Sequence, residues 1–274
     1  MQVYNIEVRR ETLLAFEETL FRPIIWRVLA KTKDKSKRPL SIFARTACVG
    51  NAVLAKSFRL SRLNLTFAQK CHLDLLNMLD SGFKQKTSDF REMDILNADS
   101  KRWFAQICNE SLLDTFLNAQ VSIFDSFCEL TDQKIKINSG IYSYGHFNDF
   151  VNPKLTQFQK IDLDVTFQKF TNLVKKKELL NPRHPIIYLH YSARNDLRSF
   201  YQERSIKILK LAELLQSNFS SFRVLKLDEE QYIFKETDNF PYHYGQKTID
   251  LLAREMSLIL SDYGISTDRY TART

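Results

Sequence analysis

The sequence predicts an α/β fold, a three-layer sandwich with a mostly parallel central sheet, plus an N-terminal helical arm. Three observations predict it. Short apolar runs alternate along the chain with longer stretches of helical period. The first run, 40–44, passes through the small-residue turn Arg45-Thr46-Ala47-Cys48-Val49-Gly50-Asn51 into a helix. The strongest strand candidate, Pro185-Ile186-Ile187-Tyr188-Leu189-His190-Tyr191, leads into a long amphipathic helix over 196–216. Repeated strand-to-helix order builds parallel sheets covered on both faces.

The elements follow in order. Leu13, Leu14, Phe16, Leu20, Phe21, Ile24, Ile25, Val28 and Leu29 recur at helical spacing, with Pro23 kinking that helix or starting a second. The basic run that follows reads as an exposed linker, which divides the chain into an arm, 1–39, and an α/β domain, 40–274. Helical period covers 67–79 and 101–117, whereas 80–99 is polar and without pattern. A second strand is expected over 119–125. Alternation over 134–144, broken at Gly140, suggests strands joined by a turn. A helix over 163–177, the 185–191 strand and its helix, a strand over 222–227 and a closing helix over 246–260 complete the series.

At 274 residues, the chain is long enough for one large domain. Twenty-one Phe and eleven Tyr against six Gly and six Pro predict a well-filled core with few elaborate loops. No apolar run approaches the roughly 20 residues of a membrane span. The start, MQVYNIEVRRETLL, places charges where a signal peptide needs its apolar stretch. The expectation is a cytoplasmic protein, with peripheral attachment at the inner membrane through the amphipathic and basic segment 11–38 as an option. Cys48, Cys71, Cys108 and Cys128 are scattered without ligand spacing, so they read as reduced core residues and no metal site is expected. A net charge of +8 suits polyanionic partners or an anionic membrane surface. No nucleic-acid-binding motif accompanies it, and nucleic acid is not an expected partner.

The candidate chemistry centres on His243, in Pro241-Tyr242-His243-Tyr244-Gly245 directly before the closing helix. A histidine on a Pro-containing loop can act as a general base near neutral pH, or simply pack against the helix it precedes. His190, inside a strand, reads as core. His146, in Tyr144-Gly145-His146-Phe147, is a candidate substrate contact, and so is Arg194.

Three segments together resemble the SGNH/GDSL-type hydrolases and acyltransferases, most closely the SGNH-like proteins of bacterial surface (capsular) polysaccharide biosynthesis. Thr46-Ala47-Cys48-Val49 is similar to the turn that carries their nucleophile. The segment from Ile123 to Leu130 is similar to their second strand and its terminal Asp. Ile186 to Tyr191, with Asn195-Asp196-Leu197-Arg198 and Tyr201-Gln202-Glu203-Arg204, resembles their late strand and following helix. Tyr242-His243 then occupies the place of the catalytic histidine block.

The resemblance implies O-acetyltransferase or esterase chemistry on a surface polysaccharide or its precursor. Serine would attack an ester carbonyl, histidine would act as base, and an aspartate would orient it. Asp238 is the candidate acid, five residues before His243, because Phe240 stands where the family commonly has Asp. Ala47 stands at the nucleophile position: a replaced serine, a natural loss, or a register in which Thr46 or Cys48 is the relevant side chain. Turn amides and a nearby Asn would stabilise the oxyanion. Cys48, Asn51, Asn195 and Tyr242 join His146 and Arg194 as candidate substrate contacts, with an N-cap role as the other reading of Asn195. Arg198 and Arg204 would grip an anionic substrate or pair with Glu203 on the helix surface. No tightly bound cofactor is implied, and acetyl-CoA is a candidate donor. The expected partner is an anionic glycan or small acyl donor. The alternative is a non-catalytic glycan-binding or assembly protein of the same fold, docked in a polysaccharide-synthesis complex through its arm.

Overall fold

The computed structural model describes residues 39–58, 63–68, 71–84, 105, 108, 111–136, 142–145, 158–235 and 241–267. The arm and basic linker, 1–38, lie outside them, as do His146 and Asp238. Strands β1 (Leu40–Arg45), β2 (Leu63–Phe67), β3 (Val121–Asp125), β7 (Ile186–Leu189) and β8 (Phe222–Leu225) form one sheet in the order β2-β1-β3-β7-β8. Every pairing in it is parallel. Strands β4 (Gln133–Lys136), β5 (Tyr142–Gly145) and β6 (Phe158–Gln159) form a separate antiparallel sheet in the order β5-β4-β6. The helices are α1 (Cys48–Ser57), α2 (Leu73–Asp80), α3 (Leu112–Asn118), α4 (Phe127–Thr131), α5 (Leu163–Leu180), α6 (Ser199–Asn218) and α7 (Gln246–Asp262).

The expected α/β sandwich is therefore present. Strands β3 and β7 are buried at every residue, as central parallel strands covered on both faces must be, and the edge strands β2 and β8 are only partly buried. Helices α1 and α7 pack together in one layer, and α2, α3, α5 and α6 in the other. Phe43, Phe116, Phe124 and Phe170 meet at ring-centroid distances of 5.6 to 6.1 Å between the sheet and that second layer. The aromatic richness of the chain thus fills one continuous core. Lys177 is also buried there, donating to the carbonyls of Phe116, Leu117 and Ala119 where α3 ends. It satisfies oxygens that a helix leaves orphaned at its carboxyl end.

Three readings of local structure need correction. Residues 63–67 form an edge strand, so the helix expected over 67–79 begins only at Leu73, capped by His72, whose Nδ1 accepts from the Asp74 amide. The helix after β7 starts at Ser199 with Arg198 at its cap, so Asn195 is not the N-cap but an exposed turn residue. Of the four cysteines, Cys71 and Cys128 are core residues, Cys108 is half-buried and Cys48 is exposed. Cys48 is the first residue of α1, and its neighbours Ala47 and Val49 take the inward positions.

The sheet order sets where a site can form. β1 connects outward to β2, the chain then crosses back to β3, and β7 and β8 continue on that side. The direction of winding reverses between β1 and β3, and open α/β sheets leave a crevice at the carboxyl ends of the strands at such a point.

Candidate active site

Arg45-Thr46-Ala47 leaves the carboxyl end of β1, and Asp125-Ser126 leaves that of β3 beside it. The backbone of Ala47 is extended (φ −93°, ψ −162°), and its carbonyl accepts the first helical bond of α1 from Asn51 at 2.8 Å. An N-cap residue usually contributes a side-chain oxygen to the amides two and three positions on, and alanine has none. The Tyr191 hydroxyl takes that role from beyond the end of β7, accepting from Val49 and Gly50 at 3.2 and 3.3 Å. Tyr191 donates in turn to Asp125 Oδ2 at 3.2 Å, and the same oxygen accepts from the Ala47 amide at 2.5 Å. Asp125 Oδ1 accepts from the Phe127 amide at 3.2 Å.

Gly50 allows this closeness. A Cβ there would lie 2.6 Å from Asp125 Oδ2 and 2.7 Å from Thr46 Cβ. Burial raises the Asp125 carboxyl to about 6, although Arg45 and the two amides pull it back toward ionisation. Burial also pushes the Tyr191 hydroxyl well above its ordinary value, with Asp125 adding to the effect, so it stays protonated as the donor.

Beneath the turn lies a fully buried charge cluster. Arg45 donates to Glu129 Oε2 and to the Asp125 carbonyl, both at 2.6 Å. Glu129 also accepts from the Tyr188 hydroxyl at 3.0 Å and the Leu73 amide at 3.2 Å, and His72 Nε2 stands 3.7 Å from it. Burial opposes ionisation of Glu129, but Arg45, His72 and the Leu73 amide outweigh it and hold the carboxyl below its usual range. Burial drives His72 the other way, down to about 4. A buried pair of this kind fixes geometry more than it adds stability. Here it ties the ends of β1, β3 and β7 to the start of α2.

The His243 segment reaches the same edge of the sheet. Helix α7 begins near the chain that leaves β8, where Thr248 Oγ1 donates to the Gln231 carbonyl at 2.9 Å. It ends near the opposite edge, where the Tyr263 hydroxyl donates to the Ser220 carbonyl at 2.5 Å. It therefore runs antiparallel to the strands, as α1 does, and the two helices start together at the carboxyl edge. A Lys56–Asp250 ion pair and a 3.4 Å bond from Ser57 Oγ to the Ala253 carbonyl hold them side by side.

His243 is half-buried, and its carbonyl accepts from the Lys235 amide at 2.9 Å. The tyrosines on either side of it pack on Tyr191, Tyr242 at 6.3 Å and Tyr244 at 6.0 Å between centroids. One aromatic layer thus joins the histidine segment to the side chain that caps α1.

The other candidates divide clearly. Tyr242 is buried and donates to Asp196 Oδ2; Arg198 grips both oxygens of that carboxylate, Nε on Oδ1 at 2.8 Å and Nη2 on Oδ2 at 2.7 Å. Arg198 thus pairs with Asp196 rather than with Glu203. Arg204 donates from Nε to the Glu129 carbonyl at 2.7 Å, again not to Glu203. Asn51 is buried, and its Oδ1 accepts from Thr46 Oγ1 at 2.6 Å, stiffening the turn from within. Arg194 is exposed and donates to the Glu229 carbonyl at 3.0 Å. His190 is buried, and burial, assisted by Lys226, lowers it to about 4. Among the described residues no group of His, Cys, Asp and Glu has metal-ligand geometry, and no helix is long and apolar enough to cross a membrane.

Sequence reasoning missed the Tyr191–Asp125 pair. Its one visible signal was an acidic residue closing a buried strand, followed by an aromatic just past the next strand.

Comparison with known proteins adds little. No protein-family model matches the chain, and no curated protein matches it in sequence. Among solved structures, it is similar to a salicylyl-acyltransferase, SsfX3, from a tetracycline biosynthetic pathway, at 15% identity and a TM-score of 0.38. The likeness covers 85% of this chain but only 57% of that one, so the chain spans little more than half of its length.

Proposed function

We propose that the chain carries an SGNH-type acyl-ester site, directed at a bacterial surface polysaccharide or its precursor, with Ala47 at the nucleophile position. One observation carries this reading. The N-cap of α1 at the switch point of the sheet is held by Asp125 and Tyr191, and the His243 segment packs on that same Tyr191. A serine at position 47 would sit on a rigid strand-to-helix turn, where a nucleophile needs to be. His243 would take its proton, and Asp238 would orient the imidazole. Acetyl-CoA is the donor we favour, and the excess positive charge suits an acceptor that bears carboxylate or phosphate.

The test is Ala47→Ser. It should release acetate from an activated ester, or transfer acetyl to a glycan, where the present chain does neither. Absence of any gain across several acyl donors would overturn the proposal.

A second reading has its own support. The amides of Ala47, Val49 and Gly50 already donate to Asp125 or Tyr191, so three donors that an oxyanion hole would draw on are engaged. That favours a glycan-binding or assembly protein built on the same scaffold, with the 11–38 segment as its docking element for a complex or the inner-membrane surface. Deleting 1–38 should then abolish co-sedimentation with membranes while leaving glycan binding intact.

A further inference from the structure

A cavity of about 380 Å³ opens at the far end of α4, between that helix, the start of α6 and the edge of the small sheet. This is within the range of ordinary small-ligand sites. Its walls combine Asp132, Lys160 and Arg204 with the rings of Phe158, Phe200 and Tyr201. The three charged groups are differently placed. Asp132 is buried, Lys160 is exposed with its ammonium 5.1 Å from the centroid of Phe200, and Arg204 is half-buried. Arg204 Nε is committed to the Glu129 carbonyl and Nη1 to a long 3.5 Å contact with the Ile161 carbonyl. No hydrogen bond from Nη2 is formed among the described residues. Phe200 keeps 45% of its surface exposed, an aromatic face open at the rim.

This combination defines a ligand chemistry. Aromatic faces beside polar groups suit a sugar ring, whose C–H face is apolar and whose edge carries hydroxyls. A buried carboxylate accepts hydroxyl protons. Two cations on the same wall select a negative substituent, and a guanidinium with an uncommitted edge is well suited to carboxylate or phosphate. The cavity also adjoins the turn described above. Asp125 lies just before α4 and Thr131 ends it, and the five-residue helix between is only ~7.5 Å long. Tyr201 continues the connection on the other side, because Arg198 stacks over it at 4.0 Å while pairing with Asp196, the acceptor of Tyr242.

We infer that this cavity binds a sugar bearing a carboxylate or a phosphate. Its identity as the acceptor subsite rests on the acyl-ester reading, whereas the binding itself does not. The test uses the full chain and calorimetric titration with glucuronate, glucose 6-phosphate, glucose and inorganic phosphate. At least one of the two anionic sugars should bind saturably, and glucose and phosphate alone should each be weaker by about tenfold or more. Lys160→Glu and Phe200→Ala, both at exposed positions, should each weaken the binding by about fivefold or more with an unchanged melting temperature. Three results would overturn the inference: no saturable binding of either anionic sugar, phosphate binding as tightly as the phosphosugar, or affinities unmoved by both substitutions. Binding that Lys160→Glu abolishes, in a chain where Ala47→Ser gains no activity, would retire the acyl-ester reading and leave the cavity standing. Activity without sugar binding would do the reverse.

Discussion

Tyr191→Phe removes one oxygen and, with it, three hydrogen bonds: those accepted from Val49 and Gly50 and the one donated to Asp125. The contacts are long, 3.2 to 3.3 Å, so each falls toward the low end of the 1–3 kcal/mol associated with a buried group left unsatisfied. The expected loss is about 3 kcal/mol, or roughly 6–12 °C in melting temperature for a domain of this size. A capping argument sharpens the test. Serine at an N-cap normally gains about 1 kcal/mol over alanine. At position 47 the amides it would cap are already taken, so Ala47→Ser alone should add only a few tenths of a kcal/mol. In the Tyr191→Phe background those amides are vacated, and the same change should restore about 1 kcal/mol. Urea unfolding of the four proteins in this cycle gives the coupling directly. An equal increment from Ala47→Ser in both backgrounds would refute the idea that Tyr191 caps α1.

Three further outcomes are expected. Gly50→Ala, which in an ordinary helix stabilises by about 1 kcal/mol, should instead destabilise by about 1–3 kcal/mol, because the new Cβ meets Asp125 and Thr46 and neither can withdraw; a stabilised variant in thermal melts would show that the turn yields. Lys177→Met should cost about 3 kcal/mol in urea unfolding by leaving the carbonyls of Phe116, Leu117 and Ala119 without their donor, and a neutral result would mean that water replaces it. The third concerns pH. His72 and His190 titrate at about 4 in the fold against ~6.5 unfolded, so their neutral forms contribute stability that is complete above ~6.5 and lost as pH falls toward 4. Asp125 works against them: its carboxyl, raised to about 6, favours the fold progressively as pH falls through 6 toward ~4. Two protons against one leave a net loss of about 1.4 kcal/mol per pH unit between roughly 6 and 4.5, and a flat or inverted profile in that window would contradict the burial of the two imidazoles.

The parts of the fold legible in the sequence were those with a strong one-dimensional signature. β7 is apolar throughout and β3 at its Val, Ile and Phe positions because both faces are covered, and α5, α6 and α7 each repeat their apolar residues at helical period. Leu63–Phe67 was hidden because an edge strand is half-exposed, and its short alternation ran into the apolar period of the helix that follows. The small antiparallel sheet showed only as alternation over β4 and β5, since its third strand is two residues long.

The site divides in the same way. A small-residue turn after the first strand marked position 47, and a loop histidine before an amphipathic helix marked His243. What no pattern along the chain encodes is register. Asp125 and Tyr191 are 66 residues apart, and they meet only because β3 and β7 pair with Asp125 opposite Leu189. Asn51 and Tyr242 illustrate the converse: polar side chains at marked positions whose bonds turn inward, to Thr46 and Asp196.

The order of the strands also sets when the edge of the sheet can come together. Its parts lie at the ends of β1, β3 and β7 and just before α7, so position 47 has no complete surroundings until the chain past Tyr244 has been made. At ordinary synthesis rates, roughly 10–40 seconds separate Ala47 from Tyr242 on the ribosome. At a steady rate β1 has no complete β3 to pair with for about the first two fifths of that interval, and the amides at the start of α1 lack the Tyr191 hydroxyl for about the first three quarters. A chain that ends before Asp125 therefore holds every residue of the turn but neither of the side chains that fix it. Whatever this edge binds or transforms, it does so only as a finished molecule.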